Sequence, residues 1–317
     1  MAVDAATRAA LVEQARQSIK HGSQSFSAAS RLFDQETRER AWLLYAWCRR
    51  CDDIADNQVL GGELGEQSDL DTRLSLIRKL TAKAFAGEPT GDPSFDALGV
   101  VAHESGLTPA MADDVIEGFA LDAEDWRPRS EADMMRYCFH VAGAVGVMMA
   151  VVMGVDPKDQ NTLDRACDLG LAFQLSNIAR DIVEDDAVGR CYLPTMWLVE
   201  QDIEPGQHTK PHHREELAEM AAHLVKLVEK HEAAARVGAE RLPFRSRWAV
   251  LSAARIYGAI GRKVRARGTE AWNSRTIVPR WEKALYGARA FLSAIINREK
   301  HPDGPITWGI RDFRPNA

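Results

Sequence analysis

The chain has 317 residues, 45% of them hydrophobic and 27% charged, with a formal net charge of -6. That composition excludes a disordered, collagenous or membrane-spanning polypeptide, and the scattered lysines and arginines leave no basic footprint for DNA or RNA, so no nucleic-acid partner is expected. The length suits one large domain or two smaller ones, and a single all-helical domain over 1–317 is the expectation.

Met1 to Lys20 is Ala-rich and charged throughout, without the uninterrupted apolar run of a secretory signal, so a cytoplasmic protein is expected. Beyond it apolar residues recur at three- and four-residue spacing, with no period-2 alternation bounded by hairpin turns, which defines an all-α chain. The pattern predicts helices near 3–21, 35–56, 71–86, 94–105, 109–122, 130–153, 157–186, 213–240, 244–267 and 279–298. Pro109, Pro157 (with Asp156 as N-cap), Pro243 and Pro279 stand where helices begin.

In chain order, Phe26-Ser27-Ala28-Ala29-Ser30 is a run of small residues after one aromatic, and Ser30, one turn beyond Phe26, would leave room for a long apolar ligand. The helix over 35–56 carries Tyr45, Arg49, Asp52 and Asp56, spaced 4, 3 and 4 apart and therefore on one stripe. Cys48-x-x-Cys51 lacks a second Cys/His pair at ligand spacing, so no zinc is read from it. The five cysteines are an odd number with no repeated spacing, which suits a reducing compartment. Residues 57–69 read as a loop.

Val141 to Val155 is the longest apolar run, short of the roughly 20 residues that span a bilayer, and reads as a buried helix. Its small residues Ala142, Gly146 and Ala150, every fourth position, allow either close helix packing or room for a ligand chain. The next helix carries Gln174, Asn177, Asp181 and Asp185, spaced 3, 4 and 4, among apolar residues that imply burial on most of its surface. Residues 202–213 read as a solvated loop in which His208, His212 and His213 have no assigned role.

Aspartates four apart on a helix repel one another, so a cation is expected to compensate them. Two such pairs offer hard oxygen ligands, and Mg²⁺ is typically held by one or two carboxylates together with phosphate oxygens and water. A buried helix should not carry Asp181, Glu184, Asp185 and Asp186 without ionic or metal partners. Asp52-Asp53-Ile54-Ala55-Asp56 is the DDxxD pattern shared by prenyl-diphosphate enzymes and terpene cyclases, and alone it names only that superfamily.

The run Leu169-Gly170-x-x-x-Gln174-x-x-Asn177-Ile178-x-Arg180-Asp181-Ile182-x-x-Asp185-x-x-x-x-Arg190-x-Tyr192-x-Pro194 resembles the squalene and phytoene synthase family. So do Tyr137-Cys138-x-x-Val141-Ala142-Gly143-Ala144-Val145-Gly146, Tyr45-Ala46-Trp47-Cys48-Arg49 and Gly22-Ser23-Gln24-Ser25-Phe26-Ser27, over most of 21–268 and nearest to the family's bacterial carotenoid branch. The resemblance implies the all-helical isoprenoid synthase fold, with a central cavity between the two Asp-rich helices. It implies tail-to-tail joining of two geranylgeranyl diphosphates through a cyclopropyl diphosphate to phytoene, with Mg²⁺ or alternatively Mn²⁺ and no NAD(P)H. Asp52, Asp56, Asp181 and Asp185, with Asn177, would hold the metal. Ser23, Ser25, Arg49, Gln174, Asn177, Arg180, Arg190 and Tyr192 would bind diphosphate. Phe26, Ser30, Tyr137, Val141, Ala142, Gly146 and Tyr257 would line the isoprenoid pocket, with Tyr45 beside the chemistry; for the tyrosines ordinary packing is the competing reading.

Three rivals stand beside this. Squalene or dehydrosqualene synthesis uses farnesyl diphosphate, chain elongation or cyclisation would lack the Arg190-x-Tyr192-x-Pro194 exit, and a scaffold relative would have lost its acids. An insoluble C40 product leads to the expectation of peripheral membrane association and hand-over to a phytoene desaturase.

Overall fold

The computed structural model describes residues 4–22, 27, 29–57, 69–123, 126–296 and 308–314, all helix, turn or loop. The chain divides into two compact units, Met1–Glu124 with Val147–Leu163, and Asp125–Gly146 with Asp164–Ala317.

The first unit holds α1 (Ala5–Gly22), α2 (Gln35–Ala55), α3 (Leu70–Ala86), α4 (Pro93–Ser105) and α5 (Pro109–Ala123). Its middle is α2, which packs against the other four. Asp34 starts α2 by accepting from the Thr37 amide at 2.9 Å, relieving one of the unpaired N–H groups of the first turn. Leu43, Leu44, Trp47 and Cys51 are fully buried along its inner side. Trp47 donates to Thr81 of α3 at 3.3 Å, and Arg50 pairs with Asp92, the α4 N-cap, at 2.7 Å. Arg8 of α1 bridges Glu39 of α2 and Glu104 of α4, and Arg40 reaches the same Glu104. These apolar and ionic contacts set the rotation of α2 and leave Trp42, Tyr45, Arg49, Asp52 and Asp56 on its less buried side.

The second unit is built from α6 (Glu131–Cys138), α8 (Gln160–Ala187, from Asp164), α9 (Thr195–Glu200), α10 (Arg214–Ala239), α11 (Phe244–Arg267), α12 (Arg280–Ile296) and the short α13 (Ile310–Phe313). Ser130 and Asp133 close a capping box at the start of α6. α11 packs against both α10 and α12.

The predicted helix over 130–153 is not uniform: Phe139–Gly143 is a π turn, followed by α7 (Ala144–Val152). The extra residue shifts the helix face, so Ala142, Gly146 and Ala150 do not form the straight stripe that their spacing suggests. Close packing is what Gly146 and Gly170 serve. A β-carbon on Gly146 would stand 2.6 Å from the Ala166 carbonyl oxygen, and one on Gly170 would stand 2.6 Å from the Gly143 Cα. Glu131–Val152 as a whole is long and apolar enough to cross a membrane, which corrects the shorter count; two-thirds of its most apolar window is buried, as in a core helix.

The predicted start of α8 at Pro157 also moves. Asp156 caps a turn at Lys158 (2.8 Å), and Asp159 takes over as helix cap through the Thr162 amide (3.1 Å), so α8 begins at Gln160.

Candidate active site

On α2 the four expected residues share one face, and the ion pairs show how it is organised. Arg49 donates to Asp52 and Asp53, both at 2.8 Å. Asp53, buried and off the stripe, thus holds the guanidinium one turn back, so the second Asp of the motif positions Arg49. Burial pushes the Asp52 carboxyl up to about 6; Arg49 opposes this, and Asp56, Asp53 and Asp122 add repulsion. Asp122, at the end of α5, was not visible as a partner in the sequence, because no pattern links it to α2. Tyr45 is half-buried, its hydroxyl lies against Gly22, and desolvation raises its pKa.

Ser30 does not serve as open space. It is fully buried, donates to the Ser27 carbonyl at 2.9 Å and accepts from Trp42 Nε1 at 3.0 Å. Its employment is to hold Trp42, which extends the Tyr45–Asp56 face by one turn. Ser23, Ser25 and Phe26 lie outside the described residues.

On α8 the expected burial is present. Leu171, Ala172, Leu175, Ser176, Ile178, Ala179 and Ile182 are buried, while Gln174, Asn177, Arg180, Asp181 and Asp185 lie on the half-exposed remainder. Arg180 forks onto its neighbour Asp181, and Arg275 reaches Asp181 at 2.9 Å and Glu184 at 3.2 Å. Sequence reading missed Arg275, which sits in an aperiodic stretch after α11. Asp186 accepts from Thr209. Asp185 is the acid in this group whose carboxyl rises to about 6, through burial first and Asp181 repulsion second, against the pull of Arg190.

The end of α8 explains the spacing to Arg190. Gly189 has φ +79°, its amide donates to the Asp186 carbonyl at 2.9 Å, and the Arg190 amide donates to the Asp185 carbonyl at 2.9 Å. This paired closure with a left-handed glycine fixes the chain's exit, so Arg190 leaves the helix anchored to Asp185. Two residues on, Tyr192 stacks on the buried Tyr137 of α6 (4.8 Å), which also stacks on Trp126 (5.4 Å). Asp185, Arg190, Tyr192, Ile178, Ile182 and His208 line one narrow recess, too tight in this conformation to hold a water molecule.

His208 corrects the reading of a solvated loop. It is 1% exposed, its Nε2 lies 3.8 Å from Asp186, and burial holds its pKa below the ordinary value. His212 is exposed, as expected of the loop. Tyr257 of α11 stacks on Phe173 at 4.0 Å and is raised by desolvation. Val141 and Ala142 are half-buried in the π turn, whereas Gly146 is spent on backbone contact.

Each acidic face therefore pairs two aspartates one turn apart and holds one of them near 6. Among the described residues no three His, Cys, Asp or Glu side chains converge into a ready-made metal cluster. Hard, partly exposed carboxylates in pairs fit a magnesium-like cation that completes its shell from water and substrate phosphate.

Residues 19–282 match the family model described as squalene/phytoene synthase. The chain is 43% identical to a 15-cis-phytoene synthase of Pantoea ananas over 93% of its own length and 96% of that protein's. It is 44% identical to a phytoene synthase of Pseudescherichia vulneris, over 86% and 88%. Among solved structures it is similar to a dehydrosqualene synthase in complex with a ligand, with TM-score 0.77 and 25% identity over 89% and 96% of the two chains. A squalene synthase from Alicyclobacillus acidocaldarius, at TM-score 0.75 and 23% identity over 84% and 97%, has the same fold.

Proposed function

This chain belongs to the squalene/phytoene synthase family, and on that premise we propose that it is a prenyl transferase making phytoene from two molecules of geranylgeranyl diphosphate. The observation that carries the reading is the exit of α8, where Asp185, Arg190 and Tyr192 share a recess and Tyr192 stacks on Tyr137. Elongases and cyclases were expected to lack that exit. Identity of 43–44% to relatives named phytoene synthase, against 25% to the dehydrosqualene synthase, supports the C20 substrate over the C15 one.

Mg²⁺, with Mn²⁺ as the alternative ion, would be held by Asp52 and Asp56 and by Asp181 and Asp185, with Asn177 beside them. When bound it supplies positive charge to a departing diphosphate. The chain's own part is to bind and orient. Arg49, prepositioned by Asp53, and Arg190, prepositioned by the α8 closure, offer forked donors to phosphate oxygens, and Arg180 is kept beside Asp181 by the same charge pattern. Tyr192, half-buried and backed by the buried Tyr137, offers its other aromatic face, to which an allylic cation is attracted. The reaction needs no nicotinamide, and the insoluble product of this cytoplasmic, membrane-peripheral protein passes to a desaturase.

Incubation with geranylgeranyl diphosphate and Mg²⁺ should yield a C40 hydrocarbon by chromatography and mass spectrometry, and a C30 product from farnesyl diphosphate alone would transfer the chain to the squalene branch. Asp52→Asn and Asp181→Asn should each lower kcat by at least ~10²-fold with helix content unchanged. A double variant that still turns over would overturn the assignment.

A further inference from the structure

We propose that the outward face of α12 is the surface on which this protein lies against an anionic lipid bilayer. The inner side of α12 is fully employed. Ala290 and Ala294 pack with Ala239 and Leu251, Trp248 donates to the Gly287 carbonyl at 2.8 Å, and Arg255 donates to Ser293 at 2.7 Å. A helix fixed by one stripe needs polar residues opposite it. Here the opposite side is apolar again: Trp281 is 67% exposed, Leu285 41%, Leu292 55%, Ile295 54% and Ile296 71%, at spacings that keep them on one face. Ile277, just before the helix, is likewise 66% exposed.

The charges beside this stripe select the occupant. Arg280 and Arg289, one on either side of the stripe, carry no ion pair among the described residues, while the helix's single acid, Glu282, is tied to Lys263 at 2.7 Å. This element is therefore locally cationic in a chain of net charge -6. Two copies meeting face to face would bring four unpaired arginines together, whereas anionic headgroups neutralise them. An amphipathic helix with Trp and Leu on one side and basic residues at its flanks is the pattern of an interfacial helix. The choice of lipid also rests on the proposed reaction, whose substrate is amphiphilic and whose product is a hydrocarbon.

The test is flotation of the full-length protein with phosphatidylcholine vesicles, with and without about 30% phosphatidylglycerol, in the absence of substrate. Wild type should float with the anionic vesicles, and Leu292→Glu/Ile295→Glu should partition at least ~10-fold more weakly. Arg280→Gln/Arg289→Gln keeps the stripe and should lose the preference for anionic lipid, which guards against a folding defect in the first variant. Circular dichroism should be the same for all three. With detergent-dispersed geranylgeranyl diphosphate the Glu variant should turn over as wild type does, and with vesicle-embedded substrate it should slow. Wild type that stays in solution, or a Glu variant that floats equally well, overturns the proposal. So does a dimer in sedimentation velocity that this variant dissociates with flotation unchanged. Protein that makes the C40 product without floating sinks the docking surface alone; protein that floats without making it supports the surface and sinks the reaction.

Discussion

Asp52 and Asp185 carry the clearest electrostatic signature among the site residues. Both carboxyls are raised to about 6 because burial and neighbouring aspartates disfavour the charged form. An acid whose folded pKa exceeds its unfolded value destabilises the folded chain once ionised. Without metal, the contribution of these two groups to stability therefore falls as pH rises from about 4 through 6. A bound divalent cation competes with those protons. Lowering the pH from 7.5 to 5 should weaken Mg²⁺ binding in the presence of an unreactive diphosphate by ~10-fold or more, read by calorimetry. Affinity independent of pH over that range would remove these carboxyls from the metal site. Asp53 teaches a separate lesson: spacing places Asp52 and not Asp53 on the stripe, and burial together with the bond to Arg49 shows what Asp53 does instead.

At the scale of elements, two glycines do work that their neighbours depend on. Gly189 adopts φ +79° at the end of α8, where a side chain strains the backbone. Gly189→Ala should cost about 1 kcal/mol in urea unfolding. It should also raise KM for the diphosphate substrate, since Arg190 leaves from that turn. Unchanged KM would separate the turn from the site. The π turn at Phe139–Gly143 was beyond sequence reading because periodicity averages over a single inserted residue. Its physical counterpart is the contact of Gly143 and Gly146 with α8, which no local propensity records. The start of α8 slipped for a similar reason. Asp156 and Asp159 are both competent caps, and the choice depended on a turn at Pro157 that α8 does not include.

At the scale of the molecule, the C-terminal stretch shows how distant sequence completes the second unit. Phe313 is buried and stacks on Phe139 of the π turn at 4.8 Å, Trp308 stacks on Phe313 at 5.7 Å, and the Ile310 amide donates to Asp164 at 2.9 Å. Phe313→Ala should lose about 3–5 kcal/mol in chemical denaturation, because a fully packed aromatic leaves a cavity. A loss below about 1 kcal/mol would mean that the segment is peripheral to the core.

What the sequence determined by itself was the all-α class, most helix spans to within about two residues, both aspartate faces and the family. Each is a local or periodic property, written in three- and four-residue spacings or in contiguous motif positions. What only the tertiary structure decided was which charges meet. Arg275 with Asp181, Asp122 beside Asp52, His208 under Asp186 and Ser30 with Trp42 join residues on different elements. Spacing along a chain fixes which side chains share a helix face, while the partner across from that face is set by packing, and packing depends on every element at once.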